Sequence, residues 1–193
     1  MNNYSITTFK GTEFNPFGKE LDIEVIARGL SRTGRFSGQG NEFYSVAQHS
    51  VLLSQIVITK GFSNITSLVA LLHDSPDFLL GDISTPIRKH LKLIMYNGLY
   101  DNILNNFLSV FLAPYNNFIK HFIQFDIFDK RLALTEAKAL DINTSDWNDP
   151  RYTVSPYPIE IIPTWTHKHA EKRFMYRFKG LMNKINTKKG KIK

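Results

Sequence analysis

Leu68-Val69-Ala70-Leu71-Leu72-His73-Asp74-Ser75-Pro76-Asp77 runs from an apolar core segment into a polar turn. Five apolar residues in a row end on an imidazole and a carboxylate, and a turn follows. The pattern is that of a buried helix that closes on two polar side chains. A buried carboxylate without a partner costs several kcal/mol, so such groups are usually paired or bound to metal. Taken alone, the pair reads first as a helix C-terminus, with the histidine on the dipole and the aspartate in solvent. The chain on either side decides between the two.

Upstream, Ser45 and Gln48 form a capping box that opens a helix. Val46, His49, Ser50, Leu53 and Val57 then share one face, which places His49 on the inward stripe in the first turn. The helix over 64–74 has Ser63 or Asn64 as its cap, and Val69, Ala70 and His73 lie on one side of it. Ser75 and Pro76 suit the cap and first position of a new turn of helix that ends at Gly81. Asp82 follows in a loop. Thr85-Pro86 repeats the start signal and leads to Arg88 and Lys89.

Downstream, 100–112 is amphipathic, and a long helix runs over about 116–140. On it Phe118, Phe122, Phe125, Asp129 and Leu132 follow at steps of four, three, four and three. Asp129 interrupts an aromatic stripe, a position where a carboxylate needs a partner. Glu136 lies two turns further on the same face. Residues 143–164 carry too many prolines for long helices, and Trp147 and Tyr157 fall there as covers of the core or of a pocket rim. Thr166 caps a last helix whose apolar face is Phe174, Phe178 and Leu181. His167 and His169, two apart, do not face each other on a helix and read as surface.

Ahead of all this, 1–19 reads as irregular or weakly extended, and 21–30 as a first helix. Residues 31–41 form a glycine-rich loop carrying Arg32, Arg35 and Phe36, and such loops are where binding groups sit. About seven helices and no convincing strand pattern make the chain all-α. Its 193 residues suit one domain, 1–193, with a lead-in over 1–30 and a basic, frayed tail over 183–193.

Composition narrows the chemistry. Hydrophobic residues make up 42% and charged residues 21%, which excludes a disordered chain. There is no cysteine, so any metal must be held by His, Asp or Glu. The first ten residues lack the apolar core of a signal peptide, and no apolar run is long enough to span a membrane; a cytoplasmic protein is expected. The net charge is +7, with Lys184, Lys188, Lys189, Lys191 and Lys193 clustered at the end. A tail of this kind is a solvated end or a draw for polyanions.

His49, His73, Asp74 and Asp129 all stand on, or at the end of, helix faces that converge in the core. Two imidazoles and two carboxylates suit a divalent first-row ion: Mn, Co or Zn first, with Fe, Ni or Mg as further choices. Such a set leaves coordination positions open, which is the mark of a catalytic site. Asp77 and Asp82 follow in polar positions from which either can orient or deprotonate a water, or protonate a leaving oxygen.

The order His…His-Asp…Asp resembles that of the HD-domain phosphohydrolase superfamily. Tyr44-Ser45-Val46-Ala47-Gln48-His49-Ser50, His73-Asp74-Ser75-Pro76-Asp77 and Gly81-Asp82-Ile83-Ser84-Thr85-Pro86 together resemble one branch, the bacterial 5′-deoxynucleotidases. They also resemble that branch's bacteriophage relatives, among them dATP triphosphohydrolases. Arg35-Phe36 is similar to the Arg-aromatic pair those proteins place before the first histidine. Thr135-Glu136-Ala137-Lys138 is similar to a Thr-Glu-Ala-Arg stretch of the phage members, and Ala170-Glu171-Lys172-Arg173-Phe174 to their C-terminal helix. The likeness covers about residues 30–181.

The resemblance implies a compact helical HD domain in which His49, His73, Asp74 and Asp129 bind the metal. It implies that Asp77 and Asp82 serve catalysis, and that Arg35, Phe36 and Arg88 contact the substrate. The family usually has glutamate where Asp77 stands. Here the carboxylate is one methylene shorter, so reaching the attacking water takes a second water or a shifted helix. The family often has tryptophan at the Phe36 position. The expected reaction is metal-dependent hydrolysis of a deoxynucleoside phosphate, with metal-bound water attacking phosphorus. A monophosphate would release phosphate, and a triphosphate such as dATP would release triphosphate. An HD phosphodiesterase acting on a cyclic or signalling nucleotide is one alternative. A non-enzymatic nucleic-acid-binding module is the other, though nucleic acid is the lesser expectation. The partners expected are a deoxynucleotide and further copies of the chain, with no membrane. The location is the cytoplasm, that of the host for a phage protein.

Overall fold

The computed structural model describes residues 4–84, 87, 94–113, 117–145, 147, 154–158 and 163–189. Helices dominate them, as the periodicity requires. In chain order they are α1 (Ile23–Leu30), α2 (Val46–Thr59), α3 (Asn64–Leu72), the single turn α4 (Asp77–Leu80), α5 (Ile94–Leu112), α6 (Ile119–Ala139) and α7 (His167–Lys189). Among the described residues no helix is long and apolar enough to cross a membrane.

The apolar run 68–72 is the centre of the bundle. Every residue of α3 from Thr66 to Leu72 is buried, the two hydroxyls, Thr66 and Ser67, each with a hydrogen-bond partner. α2 packs along it, α7 and α6 each cover both, and α5 closes against α3. α1 lies on α7 and α4 on α1. Leu53, Leu68, Leu71, Leu72, Phe107, Leu132, Phe174 and Leu181 are the large side chains at the middle. Arg177 of α7 ties the polar side of this packing. It donates from Nη2 to the Ser54 carbonyl (2.8 Å) and to Ser67 Oγ (2.9 Å), and from Nε to Ser54 Oγ (3.0 Å). One guanidinium thus joins α2, α3 and α7.

The caps expected at Ser45 and Ser63 form, each serine oxygen accepting the amide three residues on. Two local expectations are corrected. The Gln48 side chain does not return to close a capping box. It turns outward to the segment before α7, donating to the Pro163 carbonyl (2.7 Å) and accepting from Trp165 N (2.9 Å). Ser75 does not cap α4, because its hydroxyl folds back to the Leu72 carbonyl at the end of α3.

The lead-in holds structure that the period-2 test is too short to reveal. Ile6–Thr7 and Glu13–Phe14 pair as a two-stranded antiparallel hairpin, β1 and β2, with Ile6 opposite Phe14. Phe14 is 3% exposed and meets Phe78 of α4 and Phe107 of α5 edge-on, at 5.4 and 6.0 Å. Asn106 donates to the Pro16 and Gly18 carbonyls at 2.9 and 3.0 Å. The hairpin plugs the α4–α5 side of the core.

Candidate metal centre

Three elements deliver the site. α2 carries His49 in its first turn, His73 is the C-terminal cap of α3, and α6 carries Asp129. The expected stripe on α6 is real. Phe118, Phe125 and Leu132 are buried, while Ile119 and Ile123 are 74% exposed. The rotation of α6 that buries the phenylalanines therefore turns Asp129 toward the two histidines. His49, His73 and Asp129 each offer one ligand atom, and those atoms lie within 4.8 Å of one another. This group could hold a metal ion.

The tautomers support it. His73 Nδ1 donates to the Ala70 carbonyl at 2.8 Å, an acceptor that cannot give a proton back. His49 Nδ1 donates to the Glu136 carboxylate, 2.8 Å from Oε1 and 3.0 Å from Oε2. In the neutral rings Nε2 is then the lone-pair nitrogen of both. His49 Nε2 lies 3.0 Å from Asp129 Oδ1 and 3.7 Å from Asp74 Oδ2. His73 Nε2 lies 3.2 Å from Asp74 Oδ1 and 3.9 Å from Asp129 Oδ1. Lone pairs converging at these distances repel unless a proton or a cation stands among them. Burial and the charge of Arg35 both press the His49 imidazole toward neutrality, yet Glu136 and Asp129 push its pKa up to about 10. Burial likewise opposes charge on Asp129, but His49, His73 and Arg35 hold its carboxyl well below the usual range. The donor set therefore fits a divalent cation in both geometry and charge.

Arg35 sits beside this group. Its Nη1 is 3.3 Å from Asp74 Oδ2 and its Nε is 3.2 Å from Glu136 Oε2. Burial opposes its charge, but the carboxylates of Glu136, Asp82, Asp74 and Asp129 outweigh it and hold the guanidinium charged. Those four carboxylates face one guanidinium, an excess of negative charge that a cation would relieve. Phe36 follows with a left-handed backbone, φ 55°, uncommon for a bulky residue. Its N–H donates to Asp82 Oδ2 at 3.1 Å, so Asp82 fixes that turn. The Phe36 ring packs near Trp147, centroids 6.2 Å apart, with the Arg35 guanidinium 5.2 Å from its own centroid. Asp77 is buried at the first position of α4, its N–H on the Asp74 carbonyl at 3.0 Å. Arg88, Lys89 and the Thr85-Pro86 start signal lie outside the described residues. His167 and His169 are exposed, packed on Phe43 and Trp165 and apart from the metal group.

Glu136 is the residue whose part the sequence reading did not see. It is completely buried. It accepts from His49, from Tyr44 Oη at 2.8 Å, and faces Arg35. The signal was present: seven residues past Asp129, it falls on the same buried stripe of α6, where a carboxylate needs partners.

The fold and the site thus define a helical protein with a buried His-His-Asp group able to hold a metal ion. No family model matches the chain. It is similar to an uncharacterized protein of Rhodobacter capsulatus, 40% identical over 78 residues, which are 38% of this chain and 40% of the relative. It is also similar to the uncharacterized protein YfdR of Escherichia coli, 38% identical over 89 residues, 45% of this chain and 47% of the relative. The chain spans less than half the length of each.

Proposed function

We propose that the protein is a divalent-metal-dependent phosphohydrolase of the HD type, acting on deoxynucleoside phosphates. One observation carries the reading: two imidazole Nε2 atoms and the Asp129 carboxylate converge within 4.8 Å, with Asp74 at 3.2 Å from one of those nitrogens and the charged Arg35 alongside. In this reading His49, His73, Asp74 and Asp129 hold the ion, which supplies charge neutralisation and a water acidic enough to react near neutral pH. Arg35 binds the phosphate, since its charge is held in place by the surrounding carboxylates. Phe36, fixed by Asp82, offers a ring for the sugar or base, with Trp147 beside it. Asp77 orients or deprotonates the water from the start of α4. Manganese, cobalt and zinc are the ions that suit these ligands first.

The test is chelator-stripped protein, with Mn or Co added back, against the deoxynucleoside mono- and triphosphates, the products being separated. Free phosphate from monophosphates makes it a 5′-deoxynucleotidase. Triphosphate release, from dATP above all, makes it a triphosphohydrolase. Turnover of a cyclic or signalling nucleotide alone would replace the substrate class and keep the metal centre. No turnover of any of these would overturn the reading.

Nucleic-acid binding has one observation of its own. An open groove of about 440 Å³ between α1 and α7 is lined by Arg28, Arg32, Lys168, Lys172 and Lys179, against Glu24 and Glu171. This reading leaves the His-Asp group without a purpose and stands second. Binding of a DNA oligonucleotide that weakens steeply with salt, and is lost in Arg28→Gln/Lys172→Gln, would promote it.

A further inference from the structure

We infer that Glu136 is the positioning residue of this site, setting the metal ligand His49 and the anion-binding Arg35 together. The inference rests on the reading of His49 as a ligand and of Arg35 as a phosphate grip.

Glu136 is fully buried on α6, and its two oxygens meet donors from separate parts of the chain. Oε1 takes the His49 Nδ1 proton (2.8 Å) from α2 and the Tyr44 hydroxyl (2.8 Å) from the segment before it. Oε2 lies 3.0 Å from His49 Nδ1 and 3.2 Å from Arg35 Nε. Arg35 and Tyr44 are also joined directly, the Arg35 N–H donating to the Tyr44 carbonyl at 2.9 Å. A carboxylate here does two things that a neutral group of the same shape does not. It accepts only, so it holds a proton on His49 Nδ1 and aims Nε2 at Asp129, where a metal ion would take the place of the Nε2 proton. It also supplies the charge that keeps the buried Arg35 close to Asp74, itself a proposed ligand, at 3.3 Å. Metal ligand and phosphate grip therefore share one anchor. Shifting that anchor disturbs both, although Glu136 itself holds neither metal nor substrate.

Glu136→Gln keeps the volume and removes the charge. Its Mn or Co affinity, read by calorimetric titration, should fall about 10- to 100-fold, the usual effect of losing a carboxylate behind a histidine ligand. At saturating metal the KM for the best substrate should rise. Tyr44→Phe removes one neutral donor and leaves the carboxylate facing His49 and Arg35, so its metal affinity should stay within about threefold of the parent. The hydrogen bond of the His49 ring proton is the readout that a purely structural role would not move. In zinc-loaded wild-type protein, 15N–1H spectra should show the His49 Nδ1 proton strongly downfield, as a bond to a carboxylate requires, and this test stands even where Glu136→Gln fails to fold. An Nδ1 proton that resonates or exchanges like that of a solvent-bonded imidazole overturns the inference, as does a folded Glu136→Gln that binds metal as tightly as the parent. A wild-type protein that binds no Mn, Co or Zn overturns the metal reading itself, and the inference with it. Metal binding intact in the wild type and unchanged in the variant overturns the inference alone.

Discussion

At the scale of single residues, the site is a balance of charge, and its substitutions are read in two properties at once. Asp74 faces both imidazoles and also Arg35. Asp74→Asn should lose metal binding and hydrolysis together; a titration showing parental Mn affinity would remove Asp74 from the ligand set. Asp77 makes a different prediction because, under the proposed HD-type reading, its carboxylate is one methylene shorter than the glutamate usual in the proteins the chain resembles. Asp77→Glu should retain or raise turnover, and Asp77→Ala should lower it, with metal affinity unchanged in both. Steady-state rates at saturating metal decide this, and an unaffected alanine variant would exclude the residue from the mechanism.

At the scale of elements, the helices matter through their starts and their closest approaches. Ser45 caps α2 by accepting the Gln48 amide at 3.2 Å, and His49 sits in the turn that follows. Ser45→Ala should cost about 1 kcal/mol, seen as a fall of roughly 2–4 °C in thermal midpoint for a chain of this size. Gly29 lies on α1 where it meets α4. A Cβ there would stand 2.6 Å from the Cβ of Phe78, too near for a side chain to swing aside. Gly29→Ala should cost about 1–3 kcal/mol by overpacking and, by pushing α4, lower turnover through Asp77. Thermal unfolding and rate measurements on the same sample check both parts.

At the scale of the whole molecule, an ion held by the candidate centre would be coupled to folding. α2, α3 and α6 each bring part of the candidate centre, so a bound ion ties three helices, and the unfolded chain has no such site. Manganese or cobalt at about a hundred times its dissociation constant should add about 2.7 kcal/mol, or roughly 5–11 °C in thermal midpoint. A chelator should reverse the gain. A midpoint indifferent to both would argue against any tight site.

Much of this was written in local pattern. The steps of four and three on α6 fix which face is buried, so Asp129 had to point inward. The run before His73 could only be a central helix, and the serine caps follow from hydrogen bonds within one turn. These are properties of short segments, legible before any tertiary contact is known: an all-α chain, its inward histidines and its aspartate on an apolar stripe. The rest depends on residues brought together from far apart. No spacing places Glu136 behind His49, 87 residues earlier, or Asp82 under the backbone of Phe36. Gln48 turns to the segment before α7 instead of to its own cap because a partner 115 residues away competes for its amide. The hairpin of the lead-in has strands of two residues each, and it is held by tertiary contacts: the Phe78 and Phe107 rings that receive Phe14, and Asn106 on the Pro16 and Gly18 carbonyls. Local hydrogen bonding and periodicity act within a turn or two of helix; the partners of a buried charge are chosen by packing between segments far apart in the chain.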